Sequence, residues 1–178
     1  MFKKYRKIII VLLFISLSYL WVWFETYNRT SKFYQQASYN TEQGNYMSAL
    51  KGKRTLNHDE SGYVFKGGFQ QVIEAWDSPY AIPKPDIYKK SEESINTIIN
   101  KKIDIATGNR IFQSYFKLDN KYLPEILLRI GDLQEEQGQL SKAKDIYTMV
   151  LEAFARNKEA AKYAEEKLNQ LDTNIKER

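Results

Sequence analysis

The chain has 178 residues, with 27 Lys and Arg, 22 Asp and Glu, one histidine and no cysteine. This length allows one ordinary domain plus an appendage. The missing cysteine excludes a disulfide framework, a Cys-ligated zinc site and a cysteine nucleophile.

The net charge of +5 is concentrated at one end. Residues 1–7 carry Lys3, Lys4, Arg6 and Lys7 with no acid, and the next seventeen, Ile8 to Phe24, carry no charged side chain. Beyond Phe24 the chain holds 23 basic and 22 acidic residues, so its bulk is close to neutral. Nucleic-acid binding needs basic residues on the folded domain, and it is excluded as a reading of the net charge.

As a helix, Ile8–Phe24 spans roughly 25 Å at about 1.5 Å per residue. Lys7 can reach the headgroups on one side, and Tyr19, Trp21, Trp23 and Tyr27 suit the interface on the other. Residues 8–24 are therefore read as a transmembrane helix. Lys3, Lys4, Arg6 and Lys7, together with Trp21 and Trp23, are its anchoring side chains. Four basic residues precede the span against Arg29 and Lys32 soon after it, which puts the N-terminus in the cytoplasm. The remainder is then extracytoplasmic, or periplasmic in a Gram-negative bacterium. A cleaved signal peptide shares the basic and apolar regions. Here, however, the apolar run continues through Leu20-Trp-Val-Trp-Phe24, where a polar cleavage region belongs.

After a juxtamembrane linker at 25–30, hydrophobic spacing predicts an all-α domain over 31–171 and a frayed tail at 172–178. The predicted helices are 31–43, 46–57, 60–77, 86–102, 106–118, 124–137, 141–154 and 158–171. Pro79, Pro83 and Pro85 break the chain between the third and fourth, and Pro124 suits the first turn of the sixth. The last helix carries Ala160, Ala164, Leu168 and Leu171 on one face, with Glu159, Lys162, Glu165 and Glu166 on the other. Such a half-polar helix can close a stack of helices.

Residues 124–154 form the clearest local unit. One helix presents Leu127, Ile130 and Gly131, Gly138 makes a turn, and a second helix presents Ala143, Tyr147 and Val150. Small Gly131 and Ala143 allow close approach, and Tyr147 fills the space beside them. This pattern resembles the tetratricopeptide (TPR) repeat in type and spacing. Gln134 stands where an aromatic is usual, and Ala155 where proline is usual. In residues 31–57, Phe33, Ala37, Gly44, Tyr46 and Ala49 fit the same pattern, whereas Gln36 and Lys53 depart from it. The resemblance covers 124–155 well and 31–57 in part; it is absent from 58–123. It implies a short α-solenoid of helical hairpins that acts as a non-catalytic scaffold for protein partners.

Between the two repeat-like stretches, Tyr63, Phe65, Phe69, Trp76 and Tyr80 fall within eighteen residues. These rings either form the core joining the hairpins, with Gly67-Gly68 permitting close packing, or line a groove for a peptide or partner helix. On the groove reading, the contacts are Tyr39, Tyr46, Tyr63, Phe69, Trp76 and Tyr80.

Motifs for chemistry are scarce. There is no Gly-x-Ser-x-Gly, His-Glu-x-x-His or P-loop, and the single His58 near a helix end reads as a surface residue. The acidic pairs at 92–93, 135–136 and 165–166 read as solvated helix faces. No catalytic residue, metal site or cofactor is expected. The function expected is a membrane-anchored scaffold in an envelope-associated protein complex, and self-association is compatible with it. The alternative is an envelope hydrolase or transferase with Glu74, Asp77 or Asp86 converging in a pocket.

Overall fold

A computed structural model describes residues 2–56 and 63–176, with side chains over 5–55 and 65–173. Its described residues form eight α-helices and one β-hairpin, and the chain divides into two compact units, Met1–Ile95 and Asn96–Arg178.

The first unit is built on α1 (Phe2–Glu42), an unbroken helix of 41 residues, about 60 Å long at 1.5 Å per residue. The linker expected at 25–30 is helical, and the helix expected at 31–43 is the last part of α1. Neither proline nor glycine occurs before Gly44, so nothing stops the helix once it has nucleated. Thr30 adapts to it by donating its hydroxyl back to the Thr26 carbonyl at 2.8 Å. The helix ends where Gly44 takes φ +72°, and the Asn45 N–H closes onto the Asn40 carbonyl at 2.8 Å.

α2 (Tyr46–Lys51) turns back along α1 and ends at Gly52, whose φ is +74°. A side chain at Gly52 would collide with the Lys66 backbone, so the strands can approach here only without one. β1 (Lys53–Leu56) then pairs antiparallel with β2 (Tyr63–Lys66), Arg54 facing Phe65 and Thr55 facing Val64. This hairpin replaces parts of the helices expected at 46–57 and 60–77, while the described residues remain predominantly α-helical, consistent with the all-α expectation. Six residues join the strands, so the two-residue Asn-Gly signal of a tight hairpin is missing. Gly67 and Gly68 lead from the hairpin into α3 (Phe69–Trp76) and permit the close packing expected of them, since a Cβ on Gly67 would collide with Gln36 of α1 and one on Gly68 with the Leu50 carbonyl of α2. Phe69, Val72, Ile73 and Trp76 form one buried stripe of α3, which packs on α1 and α2 with Ala37, Ala49 and Leu50. The proline-rich segment breaks the chain as expected, and α4 (Asp86–Thr97) follows.

The second unit begins beside the end of α4, with a π-helical turn at Ile98–Lys102. α5 (Ile105–Tyr115) is capped by Asp104, whose carboxylate accepts the Thr107 N–H at 2.7 Å. α6 (Leu123–Glu136) carries Pro124 in its first turn, as expected. α7 (Leu140–Ala153) and α8 (Lys158–Lys176) complete the unit, α8 extending past Leu171 into the expected tail. Helices α5 to α8 pack each on the next, and α6 also touches α8. The core contains Ile111, Leu123, Ile126, Leu127, Ile130, Ala143, Tyr147, Val150, Ala164 and Leu171. Each fully buried leucine or isoleucine here contributes about 1.5–3 kcal/mol over an exposed one.

The α6–α7 hairpin carries the small-residue contact expected from sequence. A Cβ built on Gly131 would lie 2.5 Å from Tyr147 Cε1, closer than side chains approach, so the ring occupies the space that glycine leaves. Gly138, with φ +72°, makes the turn between the helices.

Candidate functional site

Most of the apolar stretch of α1 is uncovered by the protein. Ile8 to Leu20, Trp21, Val22 and Phe24 are exposed, and none of the most apolar 18-residue window of this helix is buried. This one helix near the N-terminus is long and apolar enough to cross a membrane. Arg6 and Lys7 precede the stretch with no described ion pair, and the side chains of Lys3 and Lys4 lie outside the described residues.

At the end of this stretch, α1 becomes part of the folded unit. Trp21 stays exposed, but Trp23 turns inward, stacking on Tyr27 at 5.4 Å and meeting the edge of Trp76 at 5.4 Å. The buried indole N–H of Trp76 donates to the Thr30 hydroxyl at 3.0 Å. The 78–85 segment is held against the same helix. The Tyr19 hydroxyl is shared between the carbonyls of Ile82 (2.6 Å) and Tyr80 (2.9 Å), and it accepts the Ile82 N–H at 3.0 Å. Trp23 Nε1–H donates to the Pro83 carbonyl at 2.9 Å.

The structure does not gather the aromatic residues expected in a groove. Phe69 and Trp76 are each 1% exposed, so they serve the core and not a partner. The reason is their place on the α3 stripe that faces α1, where Tyr34 meets Phe69 edge-on at 5.6 Å. Tyr46 is half-buried, and Tyr39 and Tyr80 project into the open at 61% and 82% exposure. Tyr63 lies on β2 with its side chain outside the described residues, as does the whole of His58.

A polar groove of about 450 Å³ in the second unit was not anticipated. It is lined by Asp132, Glu135 and Glu136 from α6 and by Tyr163 and Lys167 from α8. Tyr147 reaches it from α7, donating its hydroxyl to Asp132 Oδ1 at 2.8 Å and Glu135 Oε2 at 3.2 Å. Tyr163 donates to both Asp132 oxygens at 3.1 Å, and Lys167 Nζ to Glu135 Oε2 at 2.9 Å. Burial first, then the hydrogen bond to Asp132, pushes the Tyr147 hydroxyl well above the ordinary tyrosine range. Burial and the Asp132 charge push Tyr163 upward too. Burial opposes the charge of Lys167, but its bond to Glu135 and the charges of Tyr163, Asp132 and Glu135 outweigh burial and raise its pKa.

The network fastens three helices: both Asp132 oxygens and Glu135 Oε2 accept from Tyr147, Tyr163 or Lys167. The 135–136 pair is thus only half a solvated face: Glu135 is bound in the network, and exposed Glu136 pairs with Arg129 at 3.3 Å. The signal in the sequence was the i, i+3 spacing of Asp132 and Glu135 opposite the i, i+4 spacing of Tyr163 and Lys167.

A second, larger cleft of about 780 Å³ lies between the start of α6 and the α7–α8 connection, where Asn157 donates to Glu125 at 3.2 Å. Glu74, Asp77 and Asp86 are all exposed, and Glu74 accepts from its helical neighbour Gln70 at 2.7 Å. No cluster of three or more His, Asp or Glu side chains suited to a metal ion occurs among the described residues. No protein-family model, curated protein or solved structure matches the chain.

Proposed function

We propose that the chain is a single-pass membrane protein whose helical domain, TPR-like in its second unit, acts as a non-catalytic adaptor for protein partners in an envelope-associated complex. The N-terminus is cytoplasmic and the helical domain extracytoplasmic, following the basic residues before the span. The observation that carries this reading is the continuity of α1. One helix runs from the lipid-suited stretch into the core around Thr30 and Ala37, so the anchor is also a structural member of the domain. A helix shared in this way holds the domain at the membrane surface, which raises its effective concentration for other membrane proteins.

Support for the TPR-like reading comes from α6, which contacts both α7 and α8, and from the Gly131–Tyr147 fit. In such a stack the groove between α6 and α8 receives a peptide or helix. Its lining, three carboxylates against the single Lys167, favours a segment that presents lysine or arginine.

The test is photo-crosslinking from the full chain in its native membranes, with a benzoylphenylalanine at Tyr163 in the groove or at Glu165, an exposed position on the same helix. The adaptor reading expects a distinct protein captured from position 163 and not from 165. Capture of the chain by itself alone, at physiological expression, overturns that reading in favour of self-association.

A further inference from the structure

The 78–85 segment is bound to α1 at the level of the apolar stretch, and this placement assigns it an environment. Tyr19 lies five residues before Phe24, about 7.5 Å inside the end of the uncharged run at 1.5 Å per residue. Helical side chains lean toward the N-terminus, so the Tyr19 hydroxyl sits no shallower than its backbone. The carbonyls of Tyr80 and Ile82 are hydrogen-bonded to that hydroxyl. If Ile8–Phe24 crosses a bilayer, residues 80–82 lie at the boundary of headgroups and acyl chains.

The segment is built for that environment. Every backbone donor from Pro79 to Pro83 is either missing or satisfied within the protein. Pro79 and Pro83 have no N–H, Tyr80 donates to the Ser78 hydroxyl at 3.3 Å, and Ala81 donates to the Ser78 carbonyl at 3.1 Å. Ile82 donates to the Tyr19 hydroxyl at 3.0 Å, and the Pro83 carbonyl is taken by Trp23. Irregular backbone near membrane depth needs its polar groups met within the protein, as the donors of this loop and the carbonyls of Tyr80, Ile82 and Pro83 are. A loop in water has no need of such closure, because the solvent supplies partners. The side chains complete the picture, since Tyr80 and Ile82 project outward at 82% and 67% exposure beside the uncovered face of α1. A tyrosine and an isoleucine at this level match the amphipathic belt of a membrane interface. The span itself is about 25 Å long against a hydrocarbon core of about 30 Å, so added apolar surface at its outer end extends a short anchor.

We infer that the 78–85 loop is a second membrane contact, which inserts Tyr80 and Ile82 into the lipid interface beside α1 and fixes the domain's orientation on the bilayer. This rests on the membrane-spanning reading of α1.

The absence of native cysteine allows a direct test with single-cysteine variants of the full chain. Tyr80→Cys, Ile82→Cys, Leu12→Cys and Tyr39→Cys are each labelled with an environment-sensitive nitrobenzoxadiazole dye. They are then reconstituted in phosphatidylcholine–phosphatidylglycerol vesicles carrying doxyl-quencher lipids. The two loop side chains are mostly exposed, and the bonds that hold the loop use its backbone, so the substitutions leave these contacts in place. The inference expects labels at 80 and 82 to be quenched at least about twofold more by a shallow doxyl group than the label at 39, and the label at 12 to be quenched best by a deep one. Labels at 80 and 82 that behave like 39, while 12 is quenched, overturn the loop contact and leave the anchor standing. An unquenched label at 12 overturns the membrane-spanning reading and the loop contact with it.

Discussion

Gly131→Ala should destabilise the second unit, although alanine is the better helix former. In an open helix this change gains about 1 kcal/mol from propensity. Here the added Cβ would lie 2.5, 2.9 and 3.0 Å from Tyr147 Cε1, Cζ and Cδ1. The ring must retreat, but it is fully buried and its hydroxyl is held by Asp132 and Glu135 at 2.8 and 3.2 Å. Overpacking of this kind costs about 1–3 kcal/mol, and weakening a hydrogen bond to a charged acceptor adds about 1 kcal/mol. The net loss is roughly 1–3 kcal/mol, at about 4–8 °C in Tm per kcal/mol for a unit of this size.

The same substitution in the Tyr147→Leu background meets no ring and should raise Tm relative to that parent. The assay is thermal unfolding of the full chain in detergent micelles, followed by circular dichroism across the double-mutant cycle. A coupling of about 2–4 kcal/mol with a change of sign is expected. An equal loss in both backgrounds, or a gain in the native one, would refute the close fit of the two helices.

Three further outcomes follow from individual contacts. Thr30→Val strips the buried Trp76 indole N–H of its acceptor and should cost about 1–3 kcal/mol, whereas Thr30→Ser should retain most of the native stability; unfolding followed by tryptophan fluorescence compares them. Asp104→Ala removes the cap of α5 and should cost about 0.5–2 kcal/mol at neutral pH. The Thr107 bonds and the Arg110 charge hold the Asp104 carboxyl below its ordinary value. Its stabilisation is therefore present above about pH 3.9 and lost as pH falls through the folded pKa, so urea midpoints of variant and native chain should converge in acid. Tyr147, Tyr163 and Lys167 are all shifted upward. Their stabilisation is complete below the unfolded values, about 10 and 10.4, and lost as pH rises through the folded ones. Urea midpoints should thus fall above about pH 10, and Tyr147→Phe should flatten that fall.

The parts of the fold legible in sequence are those fixed by neighbours in the chain. The α6–α7 hairpin follows from the spacing of Leu127, Ile130 and Gly131 against Ala143, Tyr147 and Val150. The interruption before α4 follows from three prolines. What sequence reasoning missed depends on contacts between distant residues or on the absence of a stop signal. The polar character of Tyr27-Asn-Arg-Thr30 suggested a linker, yet each of these residues is compatible with a helix, and tertiary contacts at Thr30 and Trp23 secure it. The β-hairpin was hidden by its six-residue connection. Trp76 could be core or groove until α1 was seen to cover it. The Tyr19 bonds to residues 80 and 82 join positions more than sixty apart, and no local pattern announces them. Of the side chains proposed for partner contact, exposure leaves Tyr39 and Tyr80 in the open, and Tyr80 is placed beside the apolar stretch of α1. The polar groove was half-visible as two carboxylates on one face of α6, but their partners on α7 and α8 were not.

The most direct test of the membrane-anchored, extracytoplasmic arrangement is labelling of a Leu118→Cys chain in intact cells or spheroplasts with a membrane-impermeant maleimide. Leu118 is exposed in the second unit and the chain has no other thiol. The account predicts labelling without permeabilisation, on a protein that stays in the membrane pellet after alkaline carbonate extraction. Labelling only after permeabilisation, or release into the supernatant, would contradict it.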